Sequence, residues 1–411
     1  MSQLSNAAQT FRASISLLAT RRFGTFWFAS FLSNIGTWAQ QVAEPWLLLS
    51  LGASASLVGL DSFAMNAPVW LLTLAGGALA DRNDRRHVIA FFQSIQMLCP
   101  TAIVALIVTG GVTPAIIIAL SLVVGVTDAL SMPSFQSIVP TIVPPSRIGQ
   151  GLALNSTQFN LSRILGPTIA GLLMASVGAL ACFALSAASY VPFIGVALWI
   201  LPRGAVHPRR AAAKAGASPM REFAEIFRAP GPRGALLTVA ATSFFCGPLV
   251  TFVPVLVRDA FRGGAGDYSL AVAAFGIGGL LGGLALLTVP ERSDRRPWAS
   301  RLAVLYGLTM TGVALSPWLY GVLALMVVAG AAMTMSNTAA NTLLQSTADP
   351  ALLGRTVSLY MLAVRGGLPL GAVLTGLAIE RFGARQTLAV DGALAVAAHL
   401  TIARVWRRAL R

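Results

Sequence analysis

Long apolar segments separated by short polar stretches make up most of this sequence. Each segment has about 20 residues or more, the length that an α-helix needs to span the ~30 Å hydrocarbon core of a bilayer. The segments lie at roughly 24–50, 54–80, 88–109, 114–140, 149–177, 179–201, 234–257, 268–289, 299–317, 319–346, 355–379 and 386–406. Apolar and polar residues do not alternate within them, which favours helices over a membrane β-barrel. The pattern therefore predicts an all-α membrane protein with twelve transmembrane helices.

The composition indicates the same surroundings. Hydrophobic residues make up 56% of the chain and charged residues 10%, and the mean hydropathy is +0.74. Soluble domains contain about 25% charged residues, and disordered chains combine low hydrophobicity with high charge. The composition therefore excludes both of these classes, and the lipid bilayer is the first partner that the sequence predicts.

The net charge of +15 would suggest nucleic-acid binding in a soluble protein. Here the basic residues lie in short blocks between apolar segments, so we expect no nucleic-acid partner. If both termini are cytoplasmic, most of the basic residues share the cytoplasmic side. Four lie in loops on the other side: Arg258, Arg262, Arg381 and Arg385. Because cytoplasmic loops are enriched in Lys and Arg, we predict a multi-pass protein of the inner (plasma) membrane with both termini in the cytoplasm.

The two halves of the chain carry matching motifs. The stretch DRNDRR at 81–86 recurs as ERSDRR at 291–296, and Arg-x-x-x-Pro occurs at Arg163 and again at Arg365. Both matches fall in corresponding apolar segments or directly after them. The repeat therefore predicts two parallel, pseudo-symmetric six-helix bundles, an architecture in which the substrate site lies between the halves near the bilayer midplane.

The repeat also sets the expected domain boundaries. The first bundle should comprise residues 1–201 and the second residues 234–411, with a cytoplasmic linker at 202–233 between them. Within the linker, the stretch MREFAEIFR at 220–228 is interpreted either as a short amphipathic helix on the membrane surface or as a solvated turn.

The loop after the second apolar segment resembles the signature of the major facilitator superfamily. It reads GALADRNDRR at 77–86, where the family has Gly-x-Leu-Ala-Asp-Arg-x-Gly-Arg-Arg, with Asp84 in place of the second glycine. In the fifth segment, GPTIAG at 166–171 resembles a motif of the family's drug exporters. The stretches FGTFW at 23–27 and SNIGTW at 33–38 resemble the branch that contains macrolide efflux and enterobactin export proteins. The resemblance implies the major facilitator fold, a monomer, and export by alternating access.

Two mechanical roles are expected from these motifs. The resemblance makes the loop motif a conformational latch between the halves, with a positively charged membrane anchor as the alternative. The latch residues are Gly77, Asp81, Arg82, Arg85 and Arg86. In the fifth segment the proline removes a backbone hydrogen bond, and the hinge residues are Gly166, Pro167 and Gly171.

Glycines at helical spacing predict close packing of the eighth segment. Gly278 and Gly282 form one GxxxG pair, and Gly279 and Gly283 form a second pair that overlaps it. Small residues at this spacing let membrane helices approach each other closely. We therefore interpret both pairs as packing surfaces.

Acidic residues inside apolar segments are candidates for proton coupling. Ionisable residues in the membrane are costly and therefore rarely without function, and burial disfavours the charged form of a carboxylic acid. On this argument Glu44, Asp61 and Asp128 are predicted to take up and release protons. The alternative for Glu44 or Asp128 is a fixed salt bridge with Arg163 or Arg365.

Polar stripes on several segments predict a watered site between the halves. The predicted substrate-binding residues are Gln40, Asn160, Arg163, Asn337, Asn341 and Arg365. The arginines could attract an anionic group, or they could instead serve in gating or helix pairing. No metal-ligand spacing, phosphate-binding loop or nucleophile triad occurs in the sequence, so we expect no cofactor, no metal site and no enzymatic activity.

The combined prediction is a secondary active transporter that exports a small amphipathic compound, drug-like or siderophore-like, in exchange for protons. The direction of transport depends on the family resemblance alone. Two alternatives are uptake or exchange of a small organic anion, and a non-transporting membrane sensor with the same fold.

Overall fold

The computed structural model of this protein describes residues 16–202, 227–228, 230–287, 294–347 and 353–408. These residues form helices joined by short turns. In chain order the helices are α1 (Arg21–Ser50), α2 (Ala55–Asn66), α3 (Pro68–Arg82), α4 (Arg85–Thr109), α5 (Pro114–Ile142), α6 (Ile148–Ser176), α7 (Ala179–Trp199), α8 (Pro230–Ala241), α9 (Pro248–Phe261), α10 (Ala265–Leu287), α11 (Arg295–Leu315), α12 (Leu319–Thr347), α13 (Leu353–Phe382) and α14 (Ala384–Arg408). A 3₁₀ turn at Pro145–Arg147 precedes α6, and a π-helical turn at Thr242–Cys246 connects α8 to α9.

Within the described residues, nine helical segments are long and apolar enough to cross a membrane. Two of them combine consecutive helices: Ala55–Thr73 runs from α2 into α3, and Gly231–Phe261 runs from α8 through the π-helical turn into α9. The helices α1, α6 and α11 are not among the nine, because each carries several polar or charged residues that lower its hydropathy. The all-helical membrane fold is confirmed, whereas the count of twelve crossings stays a prediction.

The described residues of the two motif copies, 81–86 and 294–296, form the same kind of helix start. Asp84 caps the N-terminus of α4 and accepts a hydrogen bond from the backbone N–H of Arg86 at 3.1 Å. Asp294 caps α11 and accepts one from Arg296 at 3.0 Å. An aspartate in this position satisfies a backbone N–H that the helix leaves unpaired. The acid at this position of each motif is therefore explained by helix initiation.

Two ends of the bundle are distinguished by their turns. We call the end with residues 83–84, 143–147 and 202 the linker end. The opposite end, the distal end, has glycine turns at Gly52, Gly110, Gly178 and Gly383. All four glycines have positive φ, a conformation that L-residues with a Cβ rarely adopt, and it lets each helix stop sharply.

We call helices α1–α7 the first half and α8–α14 the second half, and the two halves meet mainly through two helix pairs, α2 with α13 and α6 with α10. At the first pair the backbones approach closely because of glycines on both helices. A Cβ atom at Gly59 would lie 2.5 Å from the carbonyl oxygen of Ala372, and one at Gly376 would lie 2.7 Å from that of Ala55. Residues with a side chain at these positions would hold the halves apart.

The buried apolar residues form three clusters, which differ in how they relate to the halves. The cluster at the distal end is shared, and it includes Leu48 and Phe183 from the first half with Phe252 and Tyr268 from the second. At the linker end each half has its own cluster. Representative members are Phe26, Ile138 and Phe193 in the first half, and Leu236, Ala339 and Leu344 in the second. In the described part of the chain, the halves therefore share a core at the distal end only.

Candidate functional site

Two acidic side chains and a serine meet inside the first half, close to the distal end. Glu44 lies six residues before the end of α1, Asp61 six residues after the start of α2, and Ser121 seven residues after the start of α5. At 1.5 Å per residue all three are about 10 Å below the distal ends of their helices. Glu44 is 2% exposed and Asp61 is 5% exposed. We call Glu44 and Asp61 the acid pair.

The hydroxyl of Ser121 connects the acid pair to the backbone. It is within hydrogen-bonding distance of Glu44 Oε1 and, at 3.0 Å, of the carbonyl oxygen of Ile117. A serine hydroxyl has one proton to donate, so it can donate to only one of these acceptors at a time. One carboxylate oxygen of each acid, Oε2 of Glu44 and Oδ1 of Asp61, is buried without a hydrogen-bond partner within the described structure.

A line of polar contacts continues from the acid pair along the buried face of α1. Gln40, one turn from Glu44, is buried, and its Oε1 accepts a hydrogen bond from Ser186 Oγ of α7 at 2.8 Å. One turn further, the hydroxyl groups of Thr37 and Tyr190 are 3.1 Å apart. This stripe of α1, which includes the predicted substrate-binding residue Gln40, therefore faces other helices of the first half.

Asp128, the third predicted acid, lies in a different place and has a different partner. It is midway along α5, and its Oδ2 accepts a hydrogen bond from Nη1 of Arg365, midway along α13, at 2.8 Å. This salt bridge connects the two halves. Its side chains are 42% exposed at Asp128 and 26% exposed at Arg365, although both residues lie at mid-helix. The pair therefore borders an opening between the halves.

Arg163 borders the same opening from α6. Its side chain is exposed at mid-helix, and its guanidinium carbon lies 5.6 Å from the centroid of the Trp38 ring. Its Nη2 lies 3.9 Å from the sulfur of Met333, which belongs to the second half. Arg163 thus reaches from the first half across to the second without forming a salt bridge in the described part of the chain.

Two of the three predicted asparagines lie in the second half. Asn337 and Asn341 on α12 are both half-buried, and the backbone oxygen of Asn337 accepts a hydrogen bond from Tyr360 Oη at 3.4 Å. The side-chain oxygen of Asn337 is buried without a partner among the described atoms. The side chain of Asn160, the third predicted asparagine, lies outside the described residues.

The predicted latch residues make contacts inside the first half. Arg85 is buried and donates to the carbonyl oxygen of Ser137 on α5 at 3.2 Å. Arg86 donates to Asp84 and to the carbonyl oxygen of Leu198 on α7, both at 3.2 Å. These bonds hold α4 against its neighbours.

The remaining latch residues do not test the predicted latch contact between the two halves. Arg82 is exposed, and a Cβ at Gly77 would meet open space, whereas one at Gly76 would lie 2.7 Å from Ala129 O. The side chain of Asp81 lies outside the described residues, as does Glu291 of the second motif, so the latch stays a prediction. Most of the predicted amphipathic helix at 220–228 is also outside them.

The predicted hinge residues are packing positions in α6. A Cβ at Gly166 would lie 2.4 Å from Cβ of Trp38 on α1. A Cβ at Gly171 would lie 3.1 Å from Cβ of Ser269 on α10. Pro167 is buried inside α6, which runs on as one α-helix to Ser176. The glycines thus bring α6 close to α1 and, across the halves, to α10. A hinge motion at these residues stays a prediction.

Contacts that the sequence did not reveal hold the distal end together. Tyr268 of α10 donates from Oη to the carbonyl oxygen of Val42 at 3.0 Å, and its ring stacks on Trp46 with centroids 5.7 Å apart. Nearer the surface, Arg258 donates to the carbonyl oxygen of Leu49 at 3.0 Å. In sequence these residues have no feature that sets them apart from other aromatic and basic residues near a membrane surface.

The acid pair lies directly behind these distal contacts. Val42 and Trp46, which contact Tyr268, flank Glu44 in α1. Gly59, which packs against Ala372 of α13, precedes Asp61 by two residues in α2. Each of the two helices therefore contacts the second half on one face and contributes an acid to the first half on another.

These features define a class of protein. An apolar helical bundle in two halves, with charged side chains bordering an opening at mid-membrane depth, is the architecture of a multi-pass membrane transport protein of the major facilitator type. The sequence profile of the transmembrane secretion effector family of this superfamily matches residues 12–410, and the chain belongs to that family.

Known relatives agree with this assignment. The chain is 25% identical over 375 residues to the staphyloferrin A transporter of Staphylococcus aureus (strain NCTC 8325 / PS 47), and this match covers 89% of this chain and 92% of the relative. It is 26% identical over 371 residues to the multidrug efflux pump Tap of Mycolicibacterium fortuitum, and this match covers 88% of this chain and 90% of the relative. The crystal structure of the nucleoside transporter NupG has the same fold, with a TM-score of 0.72 at 14% identity over 94% of this chain and 99% of NupG. The protein is thus a membrane transporter of the efflux branch and not an enzyme.

Proposed function

We propose that this protein is a proton-coupled exporter of a small amphipathic compound, drug-like or siderophore-like, that works by alternating access. The observation that carries the proposal is the position of the acid pair, Glu44 and Asp61, directly behind the distal contacts between the halves. The names of the relatives, a multidrug efflux pump and a staphyloferrin A transporter, support this substrate class. In this proposal residues 1–201 rock against residues 234–411, and residues 202–233 connect them.

The surroundings of the acid pair are suited to a bound proton. Glu44 and Asp61 are close enough to repel each other when both are ionised, and no Lys or Arg among the described residues forms a salt bridge with either. A buried, unpaired charge costs several kcal/mol. A protonated Glu44 avoids this cost, because it can donate to Ser121 while Ser121 donates to the Ile117 carbonyl.

Loss of the proton would act on the distal contacts through α1 and α2. Two ionised carboxylates attract water and repel each other, which favours separation of the two helices. The same helices contact α10 and α13 of the second half through Tyr268 and Ala372. We therefore assign the protonated pair to the distal-closed state, and the ionised pair to a state in which the distal end opens.

This assignment gives the order of events that export requires. A proton that enters from the distal side would neutralise the pair and close the distal end, and it would leave from the opposite side before substrate binds. The substrate would enter the opening bordered by Asp128, Arg163 and Arg365. Each proton that moves inward then resets the protein for another outward step, so the proton gradient drives export.

The proposal includes the orientation predicted from the charges. The linker end would face the cytoplasm, both termini would be cytoplasmic, and the protein would act as a monomer in the inner membrane. The concentration of basic residues at one end supports this orientation, since positively charged loops are retained on the cytoplasmic side.

Transport by vesicles of known orientation tests the proposed function. We expect inside-out vesicles with an acidic interior to accumulate drug-like or siderophore-like compounds from a screening panel, and a protonophore to abolish the accumulation. Accumulation in right-side-out vesicles under an inward proton gradient would instead favour uptake. Compound binding without any gradient-driven flux would favour a sensor.

The Tyr268→Phe variant should shift the protein towards the distal-open state. The substitution removes one buried hydrogen bond between the halves, the bond to Val42 O. Such a bond contributes about 1 kcal/mol, so the ratio of open to closed molecules should rise roughly fivefold. The distance between spin labels at Gly111→Cys and Gly264→Cys, on exposed distal turns, reports this ratio.

Tyr190→Phe is the matched control for this variant. Tyr190 is also a buried tyrosine with a hydrogen bond, but its partner Thr37 belongs to the same half. The three native cysteines are buried, which keeps background labelling low. Equal shifts in both variants would show that the bond to Val42 does not control the distal end.

A further inference from the structure

We propose that the opening between the halves contains an anion subsite centred on Arg163, so that the transported compound carries one ionised acidic group on an apolar body. The inference concerns the ligand of the transport site and depends on the proposed function for the direction of transport.

The charges at this depth do not balance. Arg163, Arg365 and Asp128 all lie midway along their helices and border the opening. Asp128 neutralises Arg365 through their 2.8 Å salt bridge, which leaves the charge of Arg163 uncompensated. A lone positive charge at mid-membrane depth is costly. One negative charge supplied by a ligand would restore neutrality.

The contacts of Arg163 stabilise its guanidinium without neutralising it. The Trp38 ring lies under it at 5.6 Å, and the sulfur of Met333 is 3.9 Å from Nη2. A cation–π contact and a thioether are weak partners for a group with five N–H donors. No acid of the described residues lies within salt-bridge distance of it, and the side chain is exposed. Its donors are therefore available to an oxyanion, which a guanidinium binds through two parallel hydrogen bonds.

The acid pair does not supply the missing charge. Glu44 and Asp61 lie nearer the distal end and inside the first half, where both are buried and Glu44 hydrogen-bonds with Ser121. Arg365 does not offer an equivalent site, because an anion would have to displace Asp128 from it. The subsite is therefore assigned to Arg163.

The groups next to Arg163 are apolar and indicate what the rest of the ligand is like. The ring of Phe159 lies 6.0 Å from that of Trp38 and is exposed. Met333 approaches from the second half, and methionine adapts its shape to different apolar partners. An aromatic or otherwise flat apolar body that bears a carboxylate fits this arrangement. Such a ligand would contact both halves at once through Arg163 and Met333.

Pairs of compounds that differ only in charge test the subsite. Suitable probes are 2-naphthylacetate with 2-naphthylacetamide, and 1-pyrenebutyrate with 1-pyrenebutyramide. Equilibrium dialysis against the full-length protein in lipid nanodiscs at neutral pH measures their affinities. We expect the wild-type protein to bind the carboxylate member of each pair roughly tenfold more tightly, as for a charge-assisted hydrogen bond.

The variants assign the difference to one side chain. In Arg163→Gln the preference for the carboxylate should disappear while the affinity for the neutral member is retained, and Arg163→Lys should keep part of the preference. Arg301→Gln is the control, because Arg301 is an exposed arginine on α11 towards the linker end. Its affinities should equal those of the wild type.

Each other outcome contradicts the inference. Equal affinity for charged and neutral members, no binding of any carboxylate probe, or an equal loss for both members in Arg163→Gln would overturn it. The proposed function fails in a different way. If carboxylate probes bind selectively but no proton gradient drives their export, the subsite stands and the exporter does not. If neutral compounds are exported without any advantage for acids, the exporter stands and the subsite does not.

Discussion

Glu44→Gln and Asp61→Asn are each expected to abolish proton-driven transport while leaving the protein folded. The amides have nearly the shape of the protonated acids but cannot release a proton. Each variant therefore keeps one member of the acid pair permanently neutral and should favour the distal-closed state. Flux driven by a pH gradient in proteoliposomes should fall to the level of protein-free vesicles. Binding of substrate at equilibrium should persist, because the acid pair lies inside the first half and away from the opening.

Asp391→Asn is the matched control for these two variants. Asp391 is another acid within a membrane helix, and its Oδ2 accepts a hydrogen bond from Thr375 Oγ1 at 2.7 Å. Both residues belong to the second half, on α13 and α14, whereas the acid pair belongs to the first half. Asp391→Asn should therefore keep proton-driven flux. If Glu44→Gln and Asp61→Asn transport with an unchanged dependence on pH, the acid pair is not the coupling site.

Hydrophobic patterning predicted the helices well because each apolar segment must be helical in lipid. It did not predict where a segment is interrupted. The segment predicted at 54–80 is divided at Ala67, before Pro68, and the one at 234–257 contains the π-helical turn at Thr242–Cys246. Apolarity alone carries no information on such breaks, since they depend on how the backbone packs. Gly367 and Gly371 of α13 pack against the backbone of Phe244 within the π-helical turn.

The cost of burying charge identified the acids, but not their partners. Glu44 and Asp61 lie near Ser121 of a third helix, and Asp128 pairs with a residue 237 positions away. Periodicity showed that α1 has a polar face with Gln40 and Glu44. It could not show that this face lies against α5 and α7 and not in the opening. A sequence pattern gives the polarity of a face, whereas its neighbour is fixed by tertiary packing.

Gly278→Ala is expected to destabilise the second half severely. A Cβ at Gly278 would lie 1.9 Å from the backbone oxygen of Val327 on α12, and the reciprocal contact, from Gly330 to the oxygen of Phe275, is also 1.9 Å. No side-chain rearrangement can relieve a clash with backbone, so α10 and α12 would have to separate. Overpacking of this kind costs on the order of 1–3 kcal/mol or more. A lower thermal unfolding temperature and a lower yield of purified protein measure the effect.

Gly283→Ala supplies the control within the same helix. The sequence placed both residues in overlapping GxxxG pairs, but a Cβ at Gly283 would meet no atom within 4 Å. Alanine also has the higher helix propensity, so Gly283→Ala should leave the unfolding temperature unchanged or raise it slightly. Equal destabilisation by the two alanines would mean that flexibility of α10, rather than its contact with α12, is what the glycines provide. The contrast between them therefore separates a packing role for the glycine repeat from a conformational one.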